Sequence, residues 1–140
     1  LQSRDLNNSN FLDAWLVGAN LRETNLSYTD FSNAILTKAN LEGANLIGAN
    51  LEGADLGGAN LSGANLTNAV LIGANLENSN LRNATLNKVS LFGANLEGAD
   101  LSRSNLTSAN LIAANFTRAN LTHVNMTNSF LRDALFIGAN

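Results

Sequence analysis

The 140-residue chain contains no cysteine, which excludes a disulfide framework and a thiolate metal site and leaves the redox compartment unreadable. It also lacks any apolar run near the roughly 18 residues of a membrane span, because a polar residue interrupts every few positions; no membrane partner is expected. No signal peptide is visible, and Leu1 in first place fits either a processed or a trimmed chain. Charge is scarce and nearly balanced, with 8 Lys and Arg against 11 Asp and Glu and a net of -3. There is one histidine. Nothing resembles a linker or a second composition, so residues 1–140 read as a single domain.

What is present is a repeat. "LEGANLIGANLEGADLGGANLSGANL", residues 41–66, places leucine at every fifth position, and this register runs through the whole chain as 28 units without insertion or deletion. The central place, residues 1, 6, 11 and onward to 136, is Leu in 23 units, Phe at 11, 31, 116 and 136, and Met at 126. It is never polar. Two places earlier the residue is Ala in 19 units and otherwise mostly Ser, Thr or Val, with Arg4 the one large exception. Between them 17 units have Asn and four have Asp, and the place two residues after the centre holds ten of the 11 glycines.

A period of five excludes the two regular structures. Five residues advance an α-helix by about 500°, so successive leucines fall roughly 140° apart and smear around the cylinder. A flat strand alternates faces with period two and sends every second leucine to solvent. The chain must therefore turn once per unit. An extended Ala-Asn-Leu triplet points Ala and Leu to one side and Asn to the other, and the next two residues make the corner. Glycine or asparagine at the second corner position suits a type II turn, which needs φ > 0 there. A chain that turns the same way after every short segment, apolar side inward, winds into a β-solenoid. Its interior is a column of leucines with alanines in the corners, and asparagines at one place in adjoining coils are expected to form amide ladders.

The unit A-(N/D)-L-x-x resembles the pentapeptide-repeat family over all 140 residues. That resemblance implies an all-β fold, a right-handed quadrilateral β-helix with four units per coil, hence twenty residues per turn and about seven coils. The spacing gives independent support for twenty: Phe11 and Phe31, Phe116 and Phe136, and the outward Ile72, Phe92 and Ile112 all recur at that interval. Leucine-rich repeats, whose longer unit carries one asparagine per repeat, do not fit. The leucine-dominated units look like members typical of cyanobacteria. The resemblance leaves the compartment open between bacterial cytoplasm and a periplasm or thylakoid lumen reached behind a cleaved leader.

No catalytic constellation is legible, and no enzyme, cofactor or metal is expected. His123 sits alone at an outward corner, with Arg103 one coil away. Glu42, Glu52, Asp55, Glu77, Glu97 and Asp100 are spread over corners and faces; Glu42 and Glu52, ten residues apart, fall on opposite sides of a twenty-residue coil and cannot act as a pair. The glycines of "EGANLIGAN" are turn residues, since no helix follows to bind a phosphate. Some pentapeptide-repeat proteins are DNA mimics that bind DNA gyrase. Duplex DNA as long as a rod of about 33 Å carries about 20 negative charges, against a net of -3 here, and those relatives use phenylalanine far more often at the centre. Residues 41–81 hold four acids and no Lys or Arg, while residues 101–140 hold Arg103, Arg118 and Arg132 against Asp133, so the rod is faintly bipolar.

The expected function is therefore that of a rigid, non-enzymatic interaction scaffold with an unidentified protein partner and no direct nucleic acid binding. The alternatives are a gyrase-binding DNA mimic and a structural spacer segment of a larger chain. Folding the sequence by twenty gathers Ile72, Phe92 and Ile112, with Val70 and Phe130 in the Asn place, on one side as a candidate protein-interaction strip. The competing view of that strip is that β-branched and aromatic residues simply suit stacked strands. A smaller apolar set, Trp15, Val17, Ile35, Leu135 and Ile137, lies near the two ends. An open solenoid end exposes unpaired backbone and apolar surface, so the ends are expected to be covered by end-to-end homo-oligomerisation or by a capping segment outside these residues.

Overall fold

Every pentapeptide after the first closes a β-turn in which the N–H of the small residue donates to the carbonyl of the preceding central residue, as from Ala14 to Phe11 at 3.0 Å and from Ala74 to Leu71 at 3.2 Å. In the computed structural model, which describes all of Leu1–Asn140, the third residue of every turn has φ between 53° and 68°. The expectation of glycine or asparagine there is too narrow, because Tyr28, Lys38, Arg103 and Arg118 adopt the same conformation. A left-handed residue other than glycine costs about 1 kcal/mol, and the backbone hydrogen bonds on both sides of each coil hold it in place. At Gly48 sterics add to the conformational demand, since a Cβ there would lie 2.6 Å from Cε1 of Tyr28.

Four turns bring the chain back above its starting point. Parallel bridges join residues twenty apart at every step, from Asp5 with Asn25 to Asn115 with Leu135. Each extended segment is so short that it contributes a single bridging residue, the one in the Asn place. Around it the coils are tied twice: Leu56 N–H donates to the Asn75 carbonyl at 2.7 Å, and Asn75 N–H donates to the Ala54 carbonyl at 2.9 Å. The fold is a right-handed quadrilateral parallel β-helix. Its four sides carry, inward, the columns that include Leu41 and Leu61 (first side), Leu46 and Leu66 (second), Leu51 and Leu71 (third), and Leu56 and Leu76 (fourth).

One continuous core runs up the axis, built from 36 buried apolar residues between Leu21 and Ala119. Leu56 and Leu76 are fully buried, as are Ala54 and Ala74 beside them. The paired phenylalanines stack face to face, Phe11 on Phe31 at 5.2 Å and Phe116 on Phe136 at 5.1 Å between ring centres. Most hydroxyls in the small-residue place reach a carbonyl, while the buried Ser104 Oγ has no hydrogen-bond partner. Thr29 Oγ1 donates to the Leu6 carbonyl at 3.1 Å and Ser129 Oγ to that of Leu106 at 2.7 Å. The first and last coils each have a neighbour on one side only, which leaves Leu6, Phe11, Leu121 and Met126 partly buried and Leu1 exposed.

Candidate functional site

The outward surface is built on the Asn place. Many of its side chains serve two structural tasks at once. The carboxamide or carboxylate oxygen accepts from the backbone N–H two residues on, closing an Asx turn, as Glu77 N–H donates to Asn75 Oδ1 at 3.1 Å. The amide group then donates to the coil before: Asn75 Nδ2 to Asp55 Oδ1 at 2.9 Å, Asn95 to Asn75 at 3.3 Å and Asn115 to Asn95 at 3.1 Å. These are the expected ladders, and they use the donors and acceptors that a binding site would otherwise offer.

The charged groups are paired or scattered. Arg22 meets Glu42 at 3.3 Å, Arg82 meets Asp100 at 3.3 Å, and Arg118 pairs with Glu97. Partial burial pushes the Asp100 carboxyl up, but hydrogen bonding from Ser102 and the Arg82 guanidinium together hold it below the usual carboxylate range. His123 is exposed at its corner. Glu42 lies on the first side and Glu52 on the third, so the two carboxylates are kept apart. Two shallow depressions on the fourth side are lined only by polar residues and glycine: Lys38, Asp55 and Gly57 in one, Glu97, Gly98 and Arg118 in the other, with Glu77 and Asn78 at both. Gly57 accounts for the first, being the one glycine in an outward place where every other unit has a side chain.

The third side differs from the rest. Val70 bridges Asn50 and Ser90, and Ser90 in turn bridges Asn110, which bridges Phe130, so Val70 and Phe130 share one outward column. Ile72, Phe92 and Ile112 share the second, since their carbonyls accept from the equivalent residues Gly53, Gly73 and Gly93, at 2.9, 2.9 and 3.0 Å. The three side chains thus stack coil upon coil, about 4.8 Å apart. Phe92 is 45% exposed, Ile72 36% and Phe130 62%, while Ile112 and Val70 are half-buried. Reading the sequence for apolar residues alone misses what brackets the strip: Glu52 precedes Ile72 in the same column and Arg132 follows Ile112. The twenty-residue register is the signal that finds them. Of the apolar set near the ends, Trp15, Val17, Leu135 and Ile137 are exposed, Trp15 at 76% and Ile137 at 69%, while Ile35 is half-buried.

A parallel β-helix of similar short units stacked coil on coil defines a solenoid repeat protein, a class whose coils line up into extended surfaces. The pattern of the pentapeptide repeats, in 8 copies, matches residues 14–53, 49–87, 86–122 and 114–140, and the chain belongs to this family. Among solved structures it is similar to a pentapeptide repeat protein from the cyanobacterium Cyanothece, with 38% identity and a TM-score of 0.62 over 65% of this chain and 63% of that one. The match therefore spans less than two thirds of that relative's length. A pentapeptide repeat protein from the thylakoid lumen of Arabidopsis thaliana is 33% identical over 76% of this chain and 70% of that one, with a TM-score of 0.58. QnrB1, a plasmid-mediated fluoroquinolone resistance protein, shares the fold over 99% of this chain and 86% of its own at 21% identity and a TM-score of 0.58. Among curated proteins no sequence matches. No helix is long and apolar enough to cross a membrane.

Proposed function

We propose that this chain is a rigid, non-enzymatic interaction scaffold that docks a protein on its third side, through Val70, Ile72, Phe92, Ile112 and Phe130. The observation that carries the reading is the outward stack of Ile72, Phe92 and Ile112 in adjoining coils, on a fold whose other outward places are mostly polar and hydrogen-bonded. Apolar side chains held in register on a stiff face present area with little conformational entropy left to lose on binding. The ladders, the paired charges and the polar shallowness of the fourth-side depressions support a surface role in preference to chemistry. Phe92→Ser combined with Ile72→Thr tests it. Both side chains point outward, so the melting temperature should stay nearly unchanged while binding to a protein recovered with the full-length chain is lost. Retention of that protein by the double variant sinks the docking surface.

A second reading draws on the fold shared with QnrB1: a DNA mimic acting on gyrase. Its weakness is electrostatic, because a net charge of -3 spread faintly bipolar along the rod does not reproduce a polyanion. A supercoiling assay decides it; inhibition of gyrase at micromolar concentration would favour the mimic over the scaffold. A structural spacer in a larger chain, or a solenoid end covered by a second copy or a capping segment, predicts that outward substitutions on the third side change no interaction.

A further inference from the structure

We infer that the protein docked on the third side is a second copy of this chain, laid antiparallel across a two-fold axis at Phe92. The inference rests on the reading of that side as a docking surface and names its occupant. Going up the column, one residue per coil, the order is Leu12, Ser32, Glu52, Ile72, Phe92, Ile112, Arg132. The last five are self-complementary when reversed. An axis lying in the interface, perpendicular to the rod and passing at Phe92, sets Phe92 against its own copy and Ile72 against the partner's Ile112. It sets Glu52 against the partner's Arg132.

The charges choose the register. Glu52 has no ion-pair partner within the chain, and Arg132 meets only its neighbour Asp133, at 3.6 Å with both side chains about three-quarters exposed. Sliding the two rods by one coil sets Glu52 against the partner's Ile112, or Arg132 against the partner's Ile72. Either shift covers a charge with an apolar side chain and leaves it unpaired, which the antiparallel register avoids. A parallel pair related by an axis along the rod swaps the columns, so Ile72, Phe92 and Ile112 meet Val70, Ser90 and Asn110, and no charge finds its opposite. Close approach is sterically open. The corner beside the strip carries Gly73 and Gly93, where an added Cβ would find nothing within 4 Å, so no side chain there props the faces apart.

The same geometry sets the strength. Five overlapping coils at about 4.8 Å, across a face about 10 Å wide, give about 250 Å² of face per partner. Even doubled for the relief of the side chains this lies below the roughly 800 Å² per partner of a standard stable interface. The dimer is accordingly weak, with a dissociation constant on the order of 0.1 mM.

Sedimentation equilibrium from 10 µM to about 1 mM reads the association directly. Wild-type chain should dimerise over that range. Glu52→Arg alone and Arg132→Glu alone, both at exposed positions and checked for unchanged melting, should each weaken the dimer about fivefold or more, because each creates two like-charge contacts. An equimolar mixture of the two variants should recover wild-type affinity, since E52R in one copy then faces R132E in the other. Because the chain has no cysteine, Ser90→Cys gives an independent readout: Ser90 also lies on the axis, and a short bismaleimide, which adds to both thiols without an oxidant, should link that variant into a dimer faster than Asn50→Cys. A wild-type chain that stays monomeric to about 1 mM overturns the second copy, and so does a mixture that fails to recover. If the chain is monomeric and the Phe92→Ser, Ile72→Thr variant still loses a different protein, the docking surface stands and its occupant here is wrong. If that variant also loses nothing, both fall.

Discussion

Replacing Leu76 by alanine removes a side chain that is fully buried in the middle of the rod. The transfer of its lost methine and two methyl groups from core to water accounts for about 2 kcal/mol. The cavity adds to this, because the coil around it cannot collapse: Leu76 N–H is bonded to the Asn95 carbonyl at 2.7 Å and Asn75 N–H to the Ala54 carbonyl at 2.9 Å. The total falls in the upper half of the usual 2 to 5 kcal/mol for such a change. Unfolding entropy of about 2.1 cal/mol/K per residue, over 140 residues, converts about 4 kcal/mol into a fall in Tm of about 14 °C. The same substitution at Leu1, more than half exposed in the first coil, should cost less than about 1 kcal/mol. Urea and thermal unfolding followed by circular dichroism measure both. The solenoid makes the cost depend on coil position and not on residue type, so equal losses at Leu76 and Leu1, or no loss at Leu76, would refute it.

Three further outcomes follow from single residues. Asn75→Ala removes the acceptor of Glu77 N–H and two rungs of the ladder; at about 1 kcal/mol per net hydrogen bond, partly replaced by water, unfolding free energy should drop by about 1 to 2 kcal/mol. Gly63→Ala meets no atom within 4 Å yet must hold φ near +66°, so chemical denaturation should show a loss of about 1 kcal/mol from backbone conformation alone. The Ser32 hydroxyl and N–H donate to Asp30 Oδ1 at 2.6 and 3.0 Å and hold its carboxyl below the ordinary value against the opposing effect of burial. That contribution to stability is present above the unfolded carboxylate value of about 3.9 and is lost as pH falls through the lower folded value; Ser32→Ala should move the Asp30 titration, followed by carboxyl NMR, upward toward the ordinary range.

The period of five is enough to exclude helix and flat strand, and the phenylalanines at 11, 31, 116 and 136 mark the coil length because identical large rings in a narrow bore stack most easily on one another. The same twenty-residue fold of the sequence brings Ile72, Phe92 and Ile112 together, so the candidate strip is legible once the coil is known. Other features resist such reading. Tyr28 and Lys38 in left-handed turns run against local preference and are held by long-range backbone pairing, which a local pattern does not encode. Arg82 reaches diagonally to Asp100, 18 residues on and not 20, because a long flexible side chain is not confined to its column. Glu52 and Arg132 escape a search for apolar exceptions, being ordinary surface charges until the register places them at the two ends of the strip.

Docking on the third side is tested most directly by amide chemical-shift mapping as the concentration of the chain is raised and, separately, as a recovered protein is added. Docking there predicts that the resonances that move recur every twenty residues, in the columns holding Ile72, Phe92 and Ile112 and holding Val70 and Phe130. Shifts confined instead to the polar fourth side around Gly57 and Glu77, or to the end residues Trp15 and Ile137, would contradict it.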